Sequence, residues 1–284
     1  RAIVMGSGSY ENLLKKLEEL ESASLLDSIE LYVRLTRLQL EARSDIEIKE
    51  ARPSQKEIDE RVGLGIEVLK FEELQPDWAR VEQLFRSALK IIGEYSPSVD
   101  AEDKLPLRQI VQSWYNKQSF PHDGMDEDIL NVAVHTAVKP FLAKRAQELL
   151  PMIKQERWRR GYCPICAGTP NFAYLERESG ARWLCCPRCD AEWLFQRIEC
   201  PFCGNITQNE LTYLKDRRGL YRVYTCEGCK GYLKAIDLRQ DSKDIAMSLE
   251  WISTLDLDKQ ACERGYRAGT IEKKIDDRGV HKAP

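Results

Sequence analysis

The sequence predicts a multi-domain chain: an all-α N-terminal domain, two small tandem β modules and a C-terminal helix. Three observations predict it. Apolar residues recur at helical spacing over residues 10–158. Short aromatic and β-branched segments then alternate with cysteine turns up to residue 240. Helical spacing returns from 241. The length of 284 residues suits two domains, and 43% hydrophobic content suffices for a core.

In chain order, residues 1–9 (RAIVMGSGS) hold no signal-peptide hydrophobic region and are expected to be a disordered lead or a cloning scar. The all-α domain is placed at 10–158. Leu13, Leu14, Leu17 and Leu20 share one helical face, and Leu31, Leu35 and Leu38 a second. Pro53-Ser54 breaks the chain and starts a helix. Pro76-Asp77 opens another, whose apolar stripe is Val81, Leu84, Phe85, Ala88, Leu89 and Ile92, and Ser96-Pro97-Ser98 ends it. Residues 126–155 read as one or two long helices with Leu130, Val134, Val138, Phe141, Leu142 and Leu149 inward. Pro140 is expected to kink or divide them. The β modules are placed at 159–198 and 199–240, with strands at 172–177, 191–198, 221–225 and 232–238. In 241–284, Ile245, Leu249, Ile252 and Leu255 fit one helical face.

Four Cys-x-x-Cys pairs carry the chemistry: Cys163/Cys166, Cys186/Cys189, Cys200/Cys203 and Cys226/Cys229. Nineteen residues separate the first two pairs and 22 the last two, which makes an internal repeat. Two thiolates on a tight turn grip one side of a tetrahedral metal, and two turns complete the shell. Each unit therefore resembles a zinc ribbon or a rubredoxin half-site. Nine of the ten cysteines lie in 163–229 and the first 162 residues have none. With no signal peptide, metal binding is expected over disulfides. Within-unit grouping is the first choice, and cross-bracing of 163/166 with 200/203 is the rival. An all-sulfur shell suits iron and zinc alike, and it leaves no open position for a catalytic water.

The knuckles have further signatures. Proline follows the first cysteine in three of them, as Pro164, Pro187 and Pro201. A residue at positive φ is useful after the second cysteine. Gly204 suits that place and Asp190 is tolerable there. Ala167 and Lys230 are not expected to take it, although Gly168 and Gly231 follow one position later. Cys185 is expected to pack, and Cys262 to be a free thiol.

Other chemistry is sparse. His122, His135 and His281 are the only histidines and read as structural or surface groups. Gly63-Leu64-Gly65 lacks the Gly-Lys-Ser/Thr of a phosphate loop. Arg157, Arg159 and Arg160 read as an exposed linker. The net charge of -3 and pI of 5.9 argue against a general polyanion binder. Over 154–239, 15 Lys and Arg stand against 10 Asp and Glu. Two filled four-thiolate sites nearly cancel that surplus, so no nucleic-acid footprint remains. Trp183, Trp193, Phe195, Tyr213, Tyr221, Tyr224 and Tyr232 should form the module cores, and any left exposed would make a protein-binding surface. No apolar run is long enough to span a membrane, and a cytoplasmic location is the default.

The residues around the cysteines resemble the FdhE family of formate dehydrogenase accessory proteins. The resemblance rests on Gly161-Tyr162-Cys163-Pro164-Ile165-Cys166, then Arg182-Trp183-Leu184-Cys185-Cys186-Pro187-Arg188-Cys189 and Glu192-Trp193. It continues through Cys200-Pro201-Phe202-Cys203, Cys226-Glu227-Gly228-Cys229-Lys230-Gly231-Tyr232-Leu233-Lys234 and Glu263-Arg264-Gly265-Tyr266. It covers 161–266 in detail and the helical half in architecture alone. Ala167 departs slightly from the pattern. The resemblance implies a helical domain followed by two rubredoxin-like modules whose eight cysteines are the eight paired here. It implies a non-enzymatic cytoplasmic factor that binds the catalytic subunit of a molybdenum- or tungsten-dependent formate dehydrogenase and is needed for its activity. It also implies metal sites taken as iron. Two alternatives are a zinc-ribbon nucleic-acid or transcription-associated protein, and an iron-based electron-transfer protein acting on the client. The native metal, its redox activity, the docking surface and a possible dimer stay open at this level.

Overall fold

A computed structural model describes residues 13, 15–19, 27–48, 52–96, 105–119, 124–240 and 245–269. The expected lead at 1–9, His122 and His281 lie outside them. Among the described residues, no helix is long and apolar enough to cross a membrane. The chain forms two compact units. One holds residues 9–51 and 69–145; the other holds 52–68 together with the chain from 146 onward.

The first unit is helical. Its elements are α1 (Asp27–Asp45), α3 (Phe71–Leu74), α4 (Trp78–Gly93), α5 (Leu107–Tyr115) and most of α6 (Glu127–Leu149). Asp77 caps α4 by accepting from the N–H groups of Ala79 (3.0 Å) and Arg80 (3.2 Å). All six residues of the expected α4 stripe are buried. Arg34 of α1 holds Glu94, just past α4, with two hydrogen bonds of 2.6 and 3.0 Å. Pro140 does not divide α6, which runs unbroken through it. The reason is packing. Val138, Lys139, Phe141, Leu142 and Ala143 around the proline are all buried, and that burial offsets the one backbone hydrogen bond a proline removes.

The second unit opens with α2 (Gln55–Leu64), where Ser54 and Glu57 form a capping box. Gly65 (φ 71°) ends it in the left-handed conformation, so the Gly-Leu-Gly stretch is a helix C-cap. The chain then meets the cysteine region. The Val68 N–H donates to the Pro164 carbonyl (2.8 Å), and the Tyr162 hydroxyl donates to the Gly65 carbonyl (2.7 Å). Arg157 pairs with Asp59 at 3.1 Å and Arg160 stacks on the Trp158 ring at 5.7 Å. The basic cluster is thus partly built into the packing.

The strands are β1 (Phe172–Leu175), β2 (Arg182–Cys185), β3 (Glu192–Phe195), β4 (Leu211–Lys215), β5 (Tyr221–Cys226), β6 (Gly231–Asp237) and β7 (Arg267–Ala268). They form one seven-stranded sheet, ordered β3-β2-β1-β6-β5-β4, with β7 on β6. The two expected modules are its two antiparallel halves. Parallel pairing of β1 with β6, from Phe172↔Lys234 to Leu175↔Asp237, joins them. β2, β4 and the two-residue β7 were absent from the sequence expectations, because each is short and runs into a turn or a cysteine knuckle.

Two C-terminal helices, α7 (Met247–Ser253) and α8 (Leu255–Glu263), replace the single one expected. They divide at Thr254, whose hydroxyl donates to the Glu250 carbonyl at 2.8 Å. Met247 and Trp251 pack on Phe172, Tyr174, Cys185 and Ile236, while Leu257 and Ala261 pack on Val223 and Tyr232. These helices cover one sheet face across both halves. Lys234, buried in β6, fastens them by donating to the carbonyls of Trp251 (3.0 Å) and Thr254 (3.2 Å) and to Asp258 (2.6 Å).

On the same face, Glu192 is buried and accepts from the Tyr174 hydroxyl at 2.9 Å. Burial pushes its carboxyl up to about 7 from 4.5. The native carboxyl is therefore neutral where the unfolded one has ionised. Below pH 4.5 both are protonated and nothing is lost. As pH rises from 4.5 to 7, native stability falls by about 3 kcal/mol. Glu192→Gln keeps an acceptor for Tyr174 and has no proton to lose. Its stability advantage over the parent, measured by urea unfolding, should grow between pH 5 and 7.5; parallel pH curves would refute the assignment.

Candidate metal centres

Cys163 and Cys166 lie on the turn before β1, and Cys186 and Cys189 on the turn joining β2 to β3. Cys200 and Cys203 follow β3, and Cys226 and Cys229 join β5 to β6. The eight sulfurs gather in two groups of four, one per unit of the repeat, each with all sulfurs within 4.8 Å of one another. The cross-braced arrangement does not occur. In the first group Cys163 and Cys189 are 3.5 Å apart, and Cys166 lies 3.6 Å from both Cys186 and Cys189. In the second, Cys200–Cys229 and Cys203–Cys226 are both 3.7 Å. All ten cysteines are free thiols. A tetrahedron of sulfurs about 2.3 Å from a central zinc has edges of about 3.8 Å. The observed spacings fit that figure and exceed any disulfide. Each group can bind one metal ion, and the geometry serves zinc and iron equally.

The knuckles aim backbone dipoles at the sulfurs. The Ile165 N–H donates to Cys163 and the Gly231 N–H to Cys229, both at 3.4 Å. Phe202 and Cys203 do so for Cys200, and Gly228 and Cys229 for Cys226. Three knuckles close with the same pair of main-chain bonds. In the first, Ala167 N–H reaches the Cys163 carbonyl (3.0 Å) and Cys163 N–H the Gly168 carbonyl (2.9 Å); Cys186–Ala191 and Cys200–Asn205 repeat it.

The expectation for the residue after each knuckle needs correction. Ala167 (φ 52°), Asp190 (56°), Gly204 (72°) and Lys230 (56°) all take the left-handed conformation. Ala167 and Lys230 do so despite a Cβ, at a cost of about 1 kcal/mol each. The closing hydrogen bonds hold Ala167 there. Gly168 and Gly231 have another task, which is to admit sulfur. A Cβ on Gly168 would sit 2.7 Å from the Cys186 sulfur, and one on Gly231 3.1 Å from that of Cys229.

The two groups differ in surroundings. All four cysteines of the first are buried. In the second Cys200 and Cys226 are buried, Cys229 is half-buried and Cys203 is exposed. Burial pushes the Cys163 and Cys189 thiols up, whereas hydrogen bonds from its three neighbours hold Cys166 down. Burial raises Cys229 to about 11. Cys226 stays below its ordinary value, since backbone N–H groups and the Asn205 amide outweigh its burial. A metal must displace these protons, so binding weakens in acid.

Cys185 packs among Phe172, Tyr174 and Ile236 and is no part of either group; Cys262 is exposed. His135 lies in α6, 6.1 Å from the Trp114 ring and outside both groups. Sequence reasoning missed Arg182. It is buried in β2, stacks over Phe195 (5.1 Å) and Tyr224 (5.8 Å), and donates to the carbonyls of Gln196 and Glu199 just before Cys200. An arginine in a short strand crowded by aromatics was the available signal.

A helical unit followed by a sheet with two closed four-cysteine groups defines a double-ribbon protein with two candidate metal centres. Comparison with known proteins narrows the class. No protein-family model matches the chain. An FdhE homolog from Aquifex aeolicus is 30% identical over 218 residues, 74% of each chain. One from a Shewanella species is 23% identical over 192 residues, 64% of this chain and 63% of the relative, just under two thirds of its length. FdhE of Escherichia coli is 28% identical over 115 residues, 40% of this chain and 37% of its own. The crystal structure of the FdhE protein from Pseudomonas aeruginosa shares the fold, with a TM-score of 0.59, 22% identity and 91% coverage of both chains. The chain belongs to the FdhE family.

Two predictions follow from the geometry. A chelator in excess should remove the second group's metal before the first's, because Cys203 and Cys229 reach solvent. Cys226→Ala should abolish the fast phase in a colorimetric release assay; a single phase in the parent would count against the asymmetry. Gly168→Ala should lower bound metal from two ions per chain to one, while Ala167→Gly keeps both and melts no lower. Elemental analysis with thermal melting checks both variants, and full metal in Gly168→Ala would refute the close-approach argument.

Proposed function

We propose that the chain is a non-enzymatic assembly factor that binds the catalytic subunit of a molybdenum- or tungsten-dependent formate dehydrogenase in the cytoplasm. Membership of the FdhE family, joined to two closed cysteine tetrads, carries this reading. The eight cysteines 163, 166, 186, 189, 200, 203, 226 and 229 would hold the two ions, iron or zinc. Filled by four protein sulfurs, each centre keeps no position for water or substrate. The metal then supplies a cross-link between turns, and the sheet presents a rigid surface to the client. The small charge surplus around the tetrads argues against a nucleic-acid partner.

The test uses the purified chain and the purified catalytic subunit of the same organism. A complex should elute together in size-exclusion chromatography, and a deletion strain should lose formate dehydrogenase activity. No complex, with normal activity in the deletion strain, would overturn the reading. Cys163→Ala and Cys226→Ala should each lose one ion and weaken the complex. Undiminished binding without the metal would shift the sites' role to electron transfer, which a reversible colour change in anaerobically purified protein would then display.

A further inference from the structure

β4 is an edge of the sheet and pairs with β5 alone. Its ladder is bracketed by hydrogen bonds from Asp216 N–H to the Tyr221 carbonyl (3.0 Å) and from Glu227 N–H to the Glu210 carbonyl (2.9 Å). Bonded and non-bonded pairs alternate in an antiparallel ladder. Thr212 and Leu214 therefore face β5, and the main-chain N–H and C=O groups of Tyr213 and Lys215 point out of the sheet. They meet no main-chain partner among the described residues. No proline interrupts this edge, and Lys215 is its single charge.

The side chains beside the edge are unusual as well. Four large hydrophobic residues are exposed among those described, and three, Ile198, Ile206 and Tyr213, belong to the second half-sheet and its approach. Ile198 (58% exposed) and Tyr213 (43%) line a cavity of about 210 Å³, whose floor includes Phe202, Leu211, Tyr224 and Leu233. That volume is below the roughly 300–1,000 Å³ of pockets for whole ligands and suits an inserted side chain. The rim is basic. Arg197 lines it and Lys215 stands 5.5 Å from the Tyr213 ring, both exposed, against one half-buried carboxylate in the lining, Glu199; Arg218 is taken up by Asp216 at 3.7 Å. Arg182 adds a buried charge below, its bonded acceptors being main-chain carbonyls. A filled second tetrad would bring negative charge at Cys200 on the cavity wall, so an uncharged side chain suits the cavity and carboxylates suit only Arg197 and Lys215.

We propose that the β4 edge and this cavity form the docking groove for an extended segment of the client, with an apolar side chain flanked by carboxylates. The inference rests on the assembly reading above and supplies its docking site. The segment adds a strand to β4 through Tyr213 and Lys215, seats its apolar side chain between Ile198 and Tyr213, and sets its carboxylates against Arg197 and Lys215. Strand addition gives affinity and the pocket gives specificity. A peptide backbone repeats its donors and acceptors in step with a strand edge. A nucleic-acid backbone does not, which favours protein over RNA despite the basic rim.

Fluorescence anisotropy with the metal-loaded chain tests it, using a short labelled peptide of alternating leucine and glutamate. Methylating alternate backbone nitrogens of the peptide should weaken binding about tenfold, and so should Arg197→Glu with Lys215→Glu. Metal content and melting temperature of that variant should match the parent. Equal binding of the methylated peptide, or tighter binding of a single-stranded oligouridine that displaces the peptide, overturns the groove. The purified catalytic subunit separates this inference from the one it rests on. Capture undiminished by the double variant sinks the groove and leaves the assembly role. No capture by the parent, with peptide still bound at β4, sinks the assembly role and leaves a peptide groove.

Discussion

Four sulfurs held within 4.8 Å of one another, twice over, are the constraint on which the cysteine-bearing unit depends. Strands β1, β2 and β3 have four residues each, and hairpins that short are at best marginal alone. Burying four sulfurs together is unfavourable in either protonation state. As thiolates they repel, and as thiols they forfeit the metal bond. A bound metal cation would resolve the conflict and cross-link two turns at once. The local geometry follows from that demand: left-handed residues after each knuckle, N–H groups aimed at sulfur, and glycines where sulfur approaches the chain.

The sheet carries the constraint from one centre to the other. Parallel pairing of β1 with β6 makes two antiparallel halves continuous, and α7 and α8 lie across the seam. Buried charge secures it. Asp237, at the end of β6, takes Arg222 from β5 and Arg239 beyond the strand. Lys234 ties β6 to the helices. Removing one partner of a buried pair leaves an uncompensated charge, which costs more than the pair contributes when whole. The two halves therefore differ from beads on a string, which the tandem repeat alone suggested.

What the sequence made legible was local. Cysteine spacing, the proline in three knuckles, the α4 stripe and four of the strands depend on residues close together in the chain. What stayed hidden depends on distant partners. The β1–β6 junction joins residues some sixty positions apart, and nothing in Phe172 or Lys234 announces it. Lys234 reads as a surface lysine until Trp251, Thr254 and Asp258 close around it. Pro140 reads as a break because the sequence cannot show that the packing of its inward-facing neighbours offsets the lost main-chain hydrogen bond. Ala167 reads as unfit for a left-handed turn because local preference is small beside a closed hydrogen-bonded ring. The eight paired cysteines were found by spacing; Arg182, which steadies the approach to the second group, was not.

The tetrads look alike in sequence and unlike in place, and this bears on what the protein does. Both shells are closed, so the difference between them lies outside the sulfurs. The first is enclosed, with Trp158, Ile165 and Trp193 among the most buried side chains of the unit. The second reaches solvent at Cys203, beside the half-sheet that carries the exposed apolar residues and the unpaired strand edge. Exposed main-chain groups and large side chains are costly features in a monomer unless something covers them. A metal centre that stiffens such a surface lowers the entropy lost when a partner docks. On the proposed docking at β4, the first centre would serve folding and the second recognition, although the same four-cysteine chemistry builds both.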